Sequence, residues 1–186
     1  TMKIRLFALL AALLFAGAAP AIDAPAPTKL NTTADHSQFK ELQQTFKSGP
    51  DVTKACLSCH TEAAKQVHRT KHWTWEFLNP DKQRLGKKNV INNYCISTAT
   101  NLGACATCHV GYGMVNSSFD FKSQENVDCL VCHDTSGSYK KLPGGGQPPV
   151  KDTENPPGSG KMVKAIDLTK IAQKVGKSSR DTCGAC

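Results

Sequence analysis

Apolar positions along this chain crowd at its start and then thin out. Behind the basic string Met2 to Arg5 lies the run LFALLAALLFAGAA, residues 6–19, followed by Pro20 and Ala21. A basic start, a short apolar stretch and an exit through small residues spell an export signal, predicted to be cleaved after Ala21. A membrane-spanning helix needs about 20 apolar residues, and this run is shorter. Residues 1–21 are therefore read as a signal peptide and 22–186 as one exported domain, with no later span. Residues 22–35 are rich in Pro and Thr and carry no period. Ser37 to Phe46 (SQFKELQQTF) sets Phe39, Leu42 and Phe46 at spacings of three and four, which predicts a short amphipathic helix. Ser48 to Asp51 reads as a stop followed by a start, since Pro50 is accepted in a first helical turn. A second helical stretch then runs toward TEAAKQVHRTKHW. Residues 79–104 and 111–127 lack periodicity, and Pro143 to Gly160 (PGGGQPPVKDTENPPGSG) reads as a solvated loop. Asp167 to Gly176 predicts a last short helix, with Gly176 as its stop. No strand-like alternation stands out. The predicted class is mainly α with extensive coil.

Composition changes that picture in one respect. Hydrophobic residues make up 39% and aromatic residues 6% of the 186, against an ordinary apolar share of about 45–50%. So little apolar material implies that something besides aliphatic side chains fills the interior. Removing Lys3 and Arg5 with the signal segment leaves 21 basic side chains against 15 acidic, a balance of +6. Basic chains often bind nucleic acid, but here the charge is scattered and the chain is exported. An anionic cofactor is the better partner.

Nine cysteines make four pairs and one single. Each pair has the spacing Cys-x-x-Cys: Cys56 and Cys59, Cys105 and Cys108, Cys129 and Cys132, Cys183 and Cys186. His60, His109 and His133 follow the first three directly. A disulfide framework suits an exported protein, and four thiolates can bind zinc. Neither uses the adjacent histidine. Covalent haem does: both thiols add to the porphyrin vinyl groups, and the next residue is the proximal iron ligand. The fourth pair ends the chain and is read as the same motif truncated one residue short, so this chain counts as a fragment with four haem c sites. Packed haems would supply the missing apolar surface, and their propionates would offset the basic balance. The expected architecture is a multihaem cytochrome c packed around covalently attached haems.

Six histidines less the three motif residues leave His36, His68 and His72 as candidates for the distal iron positions. His68 and His72 are four apart, on one face of the predicted helix if it extends that far. Cys95, in NNYC, belongs to no pair and lies ten residues before Cys105. An unpaired exported thiol is either buried and inert or functional.

With those residues in view, the chain resembles the N-terminal part of the octahaem c-type cytochromes of the tetrathionate reductase family. The resemblance rests on DVTKACLSCH, TKHWTWE (Thr70 to Glu76), LGKKN with NNYC (Leu85 to Cys95), CHVGYG, SFDF, NVDCLVCHDTSGSYKK and DLTKIAQKVGKSSRDTCGAC. It implies eight haems in the full-length protein, in a mainly helical and loop-rich chain. It implies that seven irons have two His ligands. The iron of the second motif, held by His109, would be capped by a lysine beyond this chain's end and serve as the reaction site. Cys95 would lie beside it. His36 and His72 match family histidines in place, and His68 does not. The implied activity is periplasmic reduction of a small anionic or polar oxidised sulfur or nitrogen compound, of the tetrathionate, nitrite or hydroxylamine type. Electrons would come from a partner cytochrome or a quinol-linked donor. The alternative is a pure electron-transfer cytochrome without a substrate site.

Overall fold

A computed structural model describes residues 34–89, 102–105, 107–144 and 146–183. All belong to one compact unit, residues 32–186. Residues 1–21, read above as a signal peptide, Cys95, the Cys105 side chain and Cys186 lie outside the described residues. Short helices joined by coil dominate: α1 Gly49–Leu57, α2 Ala63–His68, α3 Lys71–Thr74, α4 Leu102–Cys105, α5 Leu130–His133, α6 Leu168–Ala172 and α7 Arg180–Cys183. Two antiparallel pairs of two-residue strands complete the set, β1 Phe77–Leu78 with β2 Arg84–Leu85 and β3 Thr153–Glu154 with β4 Met162–Val163. The mainly α class with abundant coil is what the sequence predicts. The strand pairs are too short for a period-two pattern to reveal them.

The longest helix among the described residues, α1, begins as its sequence dictates. Ser48 Oγ accepts from Asp51 N at 3.3 Å, and Pro50 occupies the first turn, where no amide donor is needed. Its inner face carries Val52 and Thr53, both fully buried. Val52 enters a core with Leu42, Phe46, Leu130, Leu168, Ile171 and Ala172, which ties α1 to α5 and α6. A second, smaller cluster joins Ala64, Trp73, Val110 and Val127. At α6, Asp167 caps the helix by accepting from Lys170 N at 3.1 Å. Gly49 sits where α1 meets Tyr112, and a Cβ there would fall inside the phenol ring. Only glycine allows that approach.

Three local expectations change. Ser37 to Phe46 is not one helix but two 3-10 turns, His36–Gln38 and Lys40–Leu42, separated by Phe39 in extended conformation. Phe39 is 43% exposed, while Leu42 and Phe46 are buried. Side chains near α6 hold the segment in place of its own ladder. Gln173 Nε2 donates to Leu42 O at 2.8 Å, and Thr169 Oγ1 donates to Gln44 O at 2.7 Å. The second helical stretch breaks twice, between α1 and α2 at the first cysteine motif and between α2 and α3. His68 ends α2 and His72 lies within α3, so they do not share a helix face. The loop 143–160 is not simply solvated. Pro148 and Pro149 are buried, and Pro149 O accepts from Ile166 N at 2.8 Å. A proline ring buries without a main-chain donor to satisfy, so a Pro-rich segment can pack as well as dangle.

Leu130 is 1% exposed and lies between the two cysteines of the third motif. Leu130→Ala should lower the unfolding free energy of the holoprotein by about 2–5 kcal/mol, because it leaves a cavity where α1, α5 and α6 meet. Denaturant titration followed at the Soret band would check this, and an unchanged midpoint would refute it.

Candidate functional site

Each of two cysteine motifs is a single helical turn. His60 N donates to Cys56 O at 2.8 Å, and His133 N donates to Cys129 O at 3.2 Å. Residues i, i+3 and i+4 of such a turn share one face, so Cys56, Cys59 and His60 project together, as do Cys129, Cys132 and His133. Both histidines are exposed. Cys56, Cys59, Cys108, Cys129 and Cys183 form no disulfide.

The two turns stand back to back. Thr53 Oγ1, one turn before Cys56 on α1, donates to Val127 O at 2.5 Å and lies 3.7 Å from Cys129 Sγ. Interaction with the Cys129 thiol lowers the pKa of Cys56, and the same interaction together with burial raises that of Cys129.

His133 Nδ1 is 2.8 Å from Gly176 O, and Gly176 N returns a 2.9 Å bond to His133 O. The protonated nitrogen must be Nδ1, since a carbonyl only accepts, and the lone pair is then at Nε2. Metal-bound histidines are oriented in this way. His36 and His60 have ring centroids 6.4 Å apart and planes inclined by 20°. That is too wide for ring contact. It equals the span of two imidazoles on opposite sides of one metal, about 6 Å when each nitrogen lies about 2 Å from the ion. His36 Nδ1 is buried without a hydrogen-bond partner.

His109 differs. It is fully buried, with the rings of Trp73, Trp75, Phe119 and Phe121 at centroid distances of 5.3, 5.1, 5.4 and 6.0 Å. Its Nε2 donates to Trp73 O at 2.8 Å, and its Nδ1 has no hydrogen-bond partner. Gly111 makes room there, because a Cβ would stand 2.9 Å from Nδ1. Desolvation, assisted by the Lys141 charge, lowers the His109 pKa to about 4. Above that pH the imidazole is neutral, the form that ligates a metal. Beside the aromatic box lies a cavity of about 310 Å³ lined by His68, Trp73, Thr74, Glu76, Lys88 and Phe121. His68 stacks on Trp73 at 4.4 Å, and its buried Nε2 has no hydrogen-bond partner. His72 is exposed on α3, away from this lining.

Behind His109 is a polar cluster that no spacing rule reveals. Lys141 Nζ donates to the main-chain carbonyls of His109 and Gly111 and lies 3.5 Å from Asp128 Oδ2. Asp128 accepts from Tyr139 OH at 2.7 Å and from Val131 N at 3.1 Å. Burial raises the Asp128 pKa, and Lys141 and Tyr139 oppose that shift. A lysine in SYKK is ordinarily a solvated charge, so composition alone does not mark it.

These turns match a known family. The model of the cytochrome c554 and c-prime family matches residues 28–134, a span containing the first three motifs. The chain belongs to that family. The cytochrome's fold is similar to the crystal structure of octahaem cytochrome c from Shewanella oneidensis, with a TM-score of 0.68 and 42% identity over 82% of this chain. The match covers 32% of the octahaem protein, so this chain spans about a third of its length. No curated protein matches. The chain is therefore part of a multihaem c-type cytochrome, a redox protein in which haem c is covalently held. The residues present fit that group. The Cys-x-x-Cys-His turns present two sulfurs and an imidazole on one face, and the histidine nitrogens lacking partners are ones such a group would engage. His109 fits through Nδ1 as it stands, or through Nε2 once that atom leaves Trp73 O. Among the described residues no helix is long and apolar enough to cross a membrane.

Proposed function

We propose that this cytochrome is part of a periplasmic multihaem oxidoreductase that reduces a small oxidised sulfur or nitrogen compound, of the tetrathionate, nitrite or hydroxylamine type. It is exported by residues 1–21, and the parent chain carries eight haems, four of them on the motifs of residues 56–186. When bound, haem c supplies iron that cycles between two oxidation states and so accepts or donates one electron at a time. Cys56, Cys59, Cys105, Cys108, Cys129, Cys132, Cys183 and Cys186 hold the four groups, and His60, His109 and His133 ligate three irons. His36 supplies the second ligand opposite His60, and His68 and His72 are the remaining distal candidates.

One observation carries the enzymatic reading. The second motif alone, among those described, has its histidine sealed in an aromatic box beside an open pocket of mixed polar and apolar lining. Trp73 and Phe121 line both the box and the cavity, while the first and third motifs present exposed histidines. Lys88 on the pocket wall lies 3.8 Å from Glu76 Oε1, so with His68 the wall offers both a donor and an acceptor to a small polar substrate, while the aromatic rings shield His109, which is held neutral. Cys95 lies outside the described residues, and its place beside this centre rests on the resemblance alone. The resemblance with the tetrathionate reductase family supports sulfur chemistry there, since a thiol near cations is a ready partner for a sulfur substrate.

The closeness of the first and third turns, with Thr53 of the Cys56 helix 3.7 Å from Cys129 Sγ, favours a second reading, electron transfer without a substrate site. It would attach the groups of the first and third motifs at neighbouring points, which is what a conduit between partner cytochromes requires.

Cys95→Ser in the full-length holoprotein separates the two. Haem content and stability should stay near wild type while reduction of tetrathionate or hydroxylamine changes, and added small ligands should perturb one iron only. Loss of haem with activity per folded molecule intact would reduce Cys95 to a buried structural thiol. A protein whose every iron is inert to added ligands would be a conduit.

A further inference from the structure

We propose that the buried pair Lys141–Asp128 is an oriented dipole between the second and third motifs, which makes the haem at His109 easier to reduce than the haem at His133 and directs electrons toward His109. The inference rests on the reading that both histidines are iron ligands.

The orientation is fixed by what each charge holds. Lys141 has a side chain 1% exposed, and its ammonium donates to the carbonyls of His109 and Gly111. The cation is thus fastened to the second motif. Asp128 is fully buried and immediately precedes Cys129, the first sulfur of the third motif. Its Oδ1 accepts from Val131 N, inside that motif's turn, and its Oδ2 from Tyr139 OH. The anion is thus fastened to the third motif. Neither charge can trade places with the other without breaking these bonds.

Charges in a protein interior act with far less screening than in water. A nearby positive charge stabilises whichever centre has gained an electron, and a nearby negative charge disfavours that gain. The pair therefore raises the reduction potential on the His109 side and lowers it on the His133 side. In the favoured transfer one electron leaves ferrous iron at His133, which becomes ferric, and enters ferric iron at His109, which becomes ferrous. No proton moves and no further reactant is needed.

The test is a redox titration of the holoprotein followed by electron paramagnetic resonance, with His109→Met and His133→Met identifying the two midpoints. Lys141→Gln should lower the His109 midpoint more than the His133 midpoint, and Asp128→Asn should raise the His133 midpoint more than the His109 midpoint. Each single change strands one charge in the interior, so the neutral pair K141Q/D128N is the decisive variant, and its two midpoints should converge. Lys141→Arg keeps the charge and should keep the gap. A purely structural lysine would instead weaken the fold in both Lys141 variants and leave the gap alone. An unchanged or wider gap in K141Q/D128N at full haem content would overturn the proposal. If His109→Met and His133→Met shift no midpoint, the ligand reading fails first, whatever the pair does.

Discussion

Produced without haem attachment, the chain should give a far-UV spectrum close to that of a coil and no cooperative thermal transition. Among the described residues only thirteen apolar side chains are buried, eleven of them in two small clusters. Ordering the backbone costs about 1–2 kcal/mol per residue, and a fully buried Leu, Val or Phe returns about 1.5–3 kcal/mol. Two clusters of that size cannot offset the ordering of so long a chain. The helices give no independent support. The longest among the described residues, α1, has nine residues, and isolated helices shorter than about 12–15 residues are marginal in water. The faces left exposed include those carrying Cys59, His60 and His133, where we propose the cofactor attaches. Circular dichroism of protein made without the attachment machinery, compared with the holoprotein, decides the matter. A sharp melting transition in the apo-chain would show that the polypeptide core suffices.

His36→Ala should convert one low-spin iron of the holoprotein to a high-spin or water-bound one. The magnitude is one iron's full share of the spectrum. His36 reaches its place through a 3-10 turn whose start is capped by Asp35, which accepts from Ser37 N at 3.0 Å. Its ring packs edge-on against Phe39 at 5.6 Å and stands 6.4 Å from His60. If His36 and His60 together hold one iron, an alanine would remove one of its two imidazoles, and the exposed turn would admit water in its place. The other irons should keep their signals, because His36 touches no other motif histidine. Electron paramagnetic resonance with integrated intensities would measure the change, and a spectrum identical to wild type would remove His36 from the ligand set.

Much of this was legible in the sequence because covalent haem attachment is local chemistry. Cys-x-x-Cys-His needs one helical turn and nothing else, so spacing alone names Cys56, Cys59 and His60, or Cys129, Cys132 and His133, whatever the rest of the chain does. The Asp167 cap and the Ser48–Pro50 helix start are local in the same sense, since each bond spans three residues. The low apolar content also set the class, because a chain without enough core must be packed around something.

What lay beyond the sequence was every relation between distant residues. Periodicity favoured one helix from Ser37 to Phe46, but Thr169 and Gln173, more than a hundred residues away, hold that segment as separate turns. No spacing rule pairs His36 with His60 or brings Thr53 against the Cys129 sulfur. Nor could composition tell buried Lys141 from the exposed Lys140 beside it, since both read as surface charge. The difference is set by Asp128 and the His109 carbonyl, which the fold brings to one lysine and not to the other. Local bonds fix the attachment turns. The tertiary fold decides which turns meet, and with that the electrostatic field in which each iron would work.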